Sequence, residues 1–131
     1  MNRYKIKNYP SLKKILWLDF FLGSSTGIAG ILFAPLLREI FGLANILILS
    51  ISLTTLLYSI YAYWLARRNE IPITLLRVLV NANWLWTSIS IILLLQHYKS
   101  ATWLGLTFII LQILVVGGLA YLEGNQIIRD V

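Results

Sequence analysis

The sequence predicts an all-α integral membrane protein, an up-down bundle of four transmembrane helices. Three observations predict it. The 131-residue chain is 59% hydrophobic and only 12% charged, with a mean hydropathy of +0.79, whereas a soluble domain carries about 25% charged residues. Four stretches carry no charge: Phe20 to Leu37, Ile40 to Ala66, Val78 to Tyr98 and Ser100 to Leu122. Each is near or above the roughly 18–20 apolar residues that cross a bilayer as a helix. Five of the eleven Lys and Arg residues then fall in the first fourteen positions, as Arg3, Lys5, Lys7, Lys13 and Lys14. Such a cluster holds an N-terminus on the cytoplasmic side.

Residues 1–11 read as a basic cytoplasmic segment. The first helix is predicted over about 12–34, ending where Pro35 forbids continuation. A cleaved signal peptide is the competing reading of this start. Asp19 interrupts its apolar core, and the apolar character resumes from Ile28 to Leu37, so the first span is read as retained. Arg38 and Glu39 make a short turn before a second helix over about 43–66. Arg67, Arg68, Asn69 and Glu70 form a tight loop. Pro72 suits the first turn of a third helix over about 72–96, where its missing N–H costs nothing. His97 to Ser100 turn the chain into a fourth helix over about 101–123, with Gly124 and Asn125 as stops. Four spans use up the chain, so residues 1–131 read as a single transmembrane domain. Loops this short force neighbouring helices to be antiparallel.

Charge sets the orientation. An N-terminus inside puts Arg3, Lys5, Lys7, Lys13, Lys14, Arg67, Arg68 and Arg129 on the cytoplasmic side and only Arg38 and Lys99 outside. Both termini are then cytoplasmic, and a plasma (inner) membrane is the expected location. Tyr9, Trp17, Tyr63 and Trp64 on one side and Tyr98 and Trp103 on the other sit where interfacial aromatic belts form. The net charge of +6 is explained by these helix flanks, and nucleic acid is not an expected partner.

Chemistry is sparse. The chain has no cysteine, which removes disulfides, thiolate metal sites and thiol redox chemistry. Its single histidine, His97, stands alone in an outer turn. No serine–histidine–acid set, glycine-rich phosphate loop or paired-histidine motif is present. The expectation is a protein that is not an enzyme and uses no cofactor or metal.

The intramembrane polar residues carry what signal there is. Asp19, Arg77 and Glu123 lie five, seven and six residues from the nearest flanking charge, or roughly 7–10 Å at about 1.5 Å per residue. All three fall at similar depth on the cytoplasmic half. A lone charge at mid-helix costs about 2.5–3.5 kcal/mol on insertion scales, and pairing offsets it, so Arg77 is expected to bridge Asp19, Glu123 or both. The plain role for such a cluster is a clamp fixing helix register; the sharper one is a proton or substrate site. Inward polar stripes are expected from Arg77, Asn81, Trp84 and Ser88 on the third helix, from Ser50, Thr54, Tyr58 and Tyr61 on the second, and from Gln112, Val116, Leu119 and Glu123 on the fourth. Asn81 and Asn83 need hydrogen-bond partners within the membrane. Asp19, Gly23, Gly27 and Gly30 make a small-residue stripe on the first helix, suited to close helix packing within the chain or to dimerisation. Trp84 and Trp86, near the middle of the third helix, read either as bulky packing residues or as the wall of a ligand cavity.

Leu18-Asp19 opening the first helix, its glycine-rich continuation, Asn83-Trp84-Leu85-Trp86 and the late Glu123 together resemble small bacterial four-helix membrane proteins of unknown function. The resemblance implies a fold and a membrane location and no mechanism. The small multidrug resistance transporters also have four helices and an acid in the first. Asp19 lies nearer the cytoplasmic end than theirs, and the surrounding motifs differ. The functional expectation is a small non-enzymatic accessory, interaction or scaffold module, in contact with the lipid bilayer and with a membrane-protein partner or a second copy. A small dimeric proton-coupled transporter or channel is the alternative, and binding of a hydrophobic ligand against Trp84 and Trp86 is the third.

Overall fold

The computed structural model describes residues 4–129; Arg3 lies outside the described residues. The order is β1 (Tyr4–Ile6), α1 (Tyr9–Leu32), α2 (Ala34–Phe41), α3 (Asn45–Ala66), α4 (Ile73–His97), α5 (Trp103–Gly124) and β2 (Ile127–Arg129). Helices α1, α3, α4 and α5 are long and apolar enough to cross a membrane, and they pack together as an all-α four-helix bundle. The protein is therefore a multi-pass membrane protein.

Local chemistry sets the ends. Asn8 caps α1 by accepting from the Ser11 N–H, with Pro10 in the first turn. Thr102 caps α5 by accepting from the Gly105 N–H. The predicted turn at Arg38 and Glu39 is instead a short helix, α2, which starts at Pro35's first turn and ends at Gly42 with φ 66°. Only glycine takes that left-handed conformation without cost. α2 rests on the start of α5. The Thr102 N–H donates to the Phe41 carbonyl at 2.9 Å, and Gly105 sits so close to that carbonyl that a Cβ would run into it.

Two tight pairs make up the bundle. α1 packs along α3, and α4 along α5, while contacts between the pairs are few. Glycine explains the first pair: an added Cβ at Gly23 or Gly27 would meet Ser59 Cβ or the Ser52 carbonyl at 2.8 Å. The small-residue stripe of α1 therefore faces α3 of the same chain.

One feature has no counterpart in the predicted organisation. The N-terminal segment is a strand, and β1 pairs antiparallel with β2 in the register Tyr4↔Arg129, Lys5↔Ile128 and Ile6↔Ile127. The Gln126 carbonyl and side chain accept from the Lys7 and Asn8 N–H groups. Ile6 and Ile127 pack onto an apolar cluster that includes Leu12, Leu16, Leu65, Ile71 and Leu76. A second apolar cluster, around Ala34, Leu43, Ile48 and Ile109, fills the opposite end.

Candidate functional site

Between the two apolar clusters lies a buried polar centre. Asp19 stands ten residues into α1 and Asn83 ten residues into α4, each about 15 Å from its helix start. Glu123, at the last turn of α5, meets them there. Relative exposures are 5% for Asp19, 2% for Asn83 and 0% for Glu123. Asn83 Nδ2 donates to Glu123 Oε1 at 2.8 Å, and Asp19 lies against both Asn83 and Glu123. Among the described residues, no partner reaches Asp19 Oδ2 or Glu123 Oε2. Two carboxyl groups thus share one amide donor, and each keeps an oxygen unsatisfied. Buried polar atoms in that condition are costly, so the arrangement suits an added proton or cation.

Asp19 and Asn83 of this centre line a cavity of about 230 Å³ between the helix pairs. Asp19, Asn83 and Trp86 line it near the carboxyls, and Phe108, Leu111 and Val115 further along. The lining on α5 extends from Phe108 to Leu119, eleven residues or about 16 Å of helix. Leu22 of α1 and Leu111 and Val115 of α5 line the cavity and are also exposed on the outside of the bundle. The cavity therefore reaches the lipid between α1 and α5. Towards the chain termini it is closed by the cluster around Leu12, Leu16 and Leu76.

Polar atoms along the cavity are only partly used. Gln112 Nε2 donates to Ser90 Oγ at 3.1 Å, and Ser90 Oγ donates to the Trp86 carbonyl at 2.8 Å. Among the described residues, Gln112 Oε1 and Trp86 Nε1 are buried without partners. Tyr58 of α3 approaches the Trp86 ring edge-on at 6.4 Å. Thr55 spends its hydroxyl on the Ile51 carbonyl. Among the described residues no three His, Asp or Glu side chains converge on one point as a metal ion requires.

The residues singled out from the sequence divide into those brought together and those turned away. Asp19, Glu123, Asn83, Trp86, Tyr58 and Gln112 meet at the centre or along the cavity. Arg77 does not bridge the carboxyls. It is exposed, with its guanidinium 4.3 Å above the Tyr4 ring. Depth alone suggested the pairing, but Arg77 and Asn83 are six residues apart, about 240° around a helix and 9 Å along it. The face containing Arg77, Asn81, Trp84 and Ser88 points outward as a whole, and all four are exposed. The inward face of α4 is Leu76, Val80, Asn83, Thr87 and Ser90. Trp84, 45% exposed, is no part of the cavity wall, because residues two apart on a helix point about 200° apart. On α3, Ser50 is exposed, and Thr54 turns its hydroxyl to the Ser50 carbonyl; Thr55 is the threonine that lines the cavity. Asn83 takes the place anticipated for Arg77, and its spacing with Thr87 and Ser90 was the available signal.

Comparison with known proteins finds no matching family model, no similar curated protein and no similar solved structure. The likeness to small bacterial four-helix membrane proteins therefore carries no family assignment.

Proposed function

We propose that this is a non-enzymatic module of a bacterial plasma membrane, with both termini in the cytoplasm, that holds an amphiphilic molecule in the cavity between its helix pairs. One observation carries the reading. A cavity of about 230 Å³, apolar over most of its wall and reaching the lipid, is lined by Asp19 and Gln112, each of which keeps a buried oxygen without a partner among the described residues. Small-molecule sites share this design, a mainly apolar wall with a few convergent polar groups. A register clamp of opposite charges loses its support, because Arg77 lies over Tyr4 and away from the carboxyls. The cytoplasmic placement of the termini rests on the basic residues around them. A membrane-protein partner or a second copy remains part of the proposal, as the recipient of what the module holds.

Gentle extraction followed by native mass spectrometry tests this. The expected spectrum shows the chain, alone or with a partner, carrying a small molecule that the cavity-filling variant Val116→Phe has lost. A chain that carries nothing beyond bulk phospholipid, or a variant that retains the same cargo, would sink the reading.

A second reading, proton-coupled transport by a dimer, is favoured by one detail. Asp19 lines the cavity while an apolar cluster packs on the terminal side of the carboxyl pair, so the centre opens towards the cavity and not towards the chain termini. Reconstituted vesicles should then show a cation, proton or amphiphile flux that Asp19→Asn abolishes. Flux indifferent to that substitution removes this second reading and leaves the first.

A further inference from the structure

We propose, resting on the reading of the cavity as a binding site, that its occupant is a singly charged lipophilic ammonium, with Asp19 as counter-ion and Glu123 as the neutral member of the pair. The hydrogen-bonding inventory argues for a donor. Among the described residues, the unpartnered acceptors at the carboxyl centre are Asp19 Oδ2 and Glu123 Oε2, against one unpartnered donor on the cavity wall nearby, Trp86 Nε1. An ammonium offers donors and no acceptor. A carboxylate or phosphate headgroup would meet Asp19 with like charge. The aromatic residues beside the carboxyls, Trp86 and Tyr58, suit a cation, which is attracted to aromatic rings, and the mainly apolar wall beyond them suits its hydrocarbon tail.

The charge count fixes the valence. The titratable groups facing Asp19 are Glu123 from α5 and Tyr58 from α3, while α4 contributes the neutral Asn83. The basic residues nearest on α1 and α4 lie elsewhere. Lys13 and Lys14 sit five or more residues towards the start of α1, and Arg77 lies outside over Tyr4. One proton on the carboxyl pair leaves one negative charge, which one monovalent cation balances. Position decides which carboxyl does what. Asp19 lines the cavity, whereas Glu123 is fully buried behind it and holds the Asn83 amide. A proton on Glu123 Oε2 gives that bare oxygen a donor to share with Asp19.

The test is equilibrium binding of radiolabelled decylammonium, decanol and decanoate to the full chain in phosphatidylcholine nanodiscs. Decylammonium is expected to bind, decanol to bind at least about 30-fold more weakly, the scale of losing one partner of a buried charge pair, and decanoate not to bind. Asp19→Asn should erase the preference for ammonium over alcohol. Glu123→Gln should keep it, with an affinity loss below about tenfold, the scale of one neutral hydrogen bond. Equal binding of decylammonium and decanol by the unmodified chain overturns the cation assignment and leaves the cavity a binding site. Binding of none of the three overturns the binding reading itself. A loss of preference in Glu123→Gln as complete as in Asp19→Asn overturns the division of roles. Phosphatidylethanolamine added to the nanodisc, a zwitterion whose phosphate accompanies its ammonium, is expected not to compete; competition would overturn the assignment of a singly charged occupant.

Discussion

Asn83 is the residue on which the polar centre depends, because among the described residues it is the sole side-chain amide bonded to the buried Glu123. Replacing it with leucine leaves a buried carboxyl oxygen without its donor, which costs about 1–3 kcal/mol. Replacing Glu123 with leucine as well removes the orphan, so the double variant should be more stable than the sum of the two losses. Thermal unfolding in detergent measures this, and additivity would show the two side chains to be uncoupled. Glycine gives a second prediction at the same scale. At Gly27 a Cβ would sit 2.8 Å from the Ser52 carbonyl and 3.0 Å from Leu56 Cβ, neither of which moves without the helix. Gly27→Ala should therefore part α1 from α3 and cost about 1–3 kcal/mol, the range for overpacking. Gly118→Ala meets nothing within 4 Å and serves as the neutral control in the same melting experiment.

At the scale of the helix, the two tryptophans of α4 separate the inner from the outer face. Trp84 faces out and Trp86 lines the cavity. In variants retaining one tryptophan each, brominated phospholipid should quench Trp84 strongly and Trp86 weakly; equal quenching would mean that α4 is rotated from this arrangement. The same helix shows where sequence stops being informative. Length and hydropathy made all four spans legible, and the faces of α1 and α5 were readable because a carboxyl residue marked each of them, joined by a row of glycines on α1 and by Gln112 on α5. On α4 the stripe through Arg77, Asn81, Trp84 and Ser88 was as polar as the true inner stripe through Asn83, Thr87 and Ser90. In water, burial selects the apolar face. In a bilayer, lipid is as apolar as a core, so the hydrophobic pattern does not choose between faces. Small size does better: Thr87 and Ser90 flank the partner helix, while Arg77 and Trp84 need outside space. α2 was hidden for a different reason, since eight residues behind a proline read as a turn until α5 supplies Thr102 and Gly105 to seat them.

At the scale of the whole molecule, the two helix pairs hold one another loosely around the cavity, and the terminal strands join them. β1 leads into α1, β2 follows the end of α5 four residues after Glu123, and so the sheet ties one helix of each pair to the other at the end of the bundle, across the Leu12, Leu16 and Leu76 cluster from the carboxyl centre. Local pattern could not reveal it, because its strands have three residues each and lie more than a hundred positions apart. The chain has no cysteine, which makes a clean test available. Ile6 and Ile127 are directly opposed, and opposed residues in antiparallel strands have Cβ atoms about 4.5–5.5 Å apart, a short adjustment from disulfide distance. The double variant Ile6→Cys and Ile127→Cys should cross-link within one chain on mild oxidation in membranes, whereas Ile6→Cys with Ile128→Cys, one register step away, should cross-link poorly. The oxidised form should melt higher than the reduced one, by the equivalent of about 2–4 kcal/mol for a bridge closing so long a loop. If the clasp also holds the base of the cavity shut, oxidation should slow the release of bound decylammonium, while deleting residues 1–7 should speed it. Equal cross-linking of both cysteine pairs would mean that the register is not fixed. Unchanged release from both the oxidised and the shortened chain would mean that the clasp fastens the bundle without touching the site.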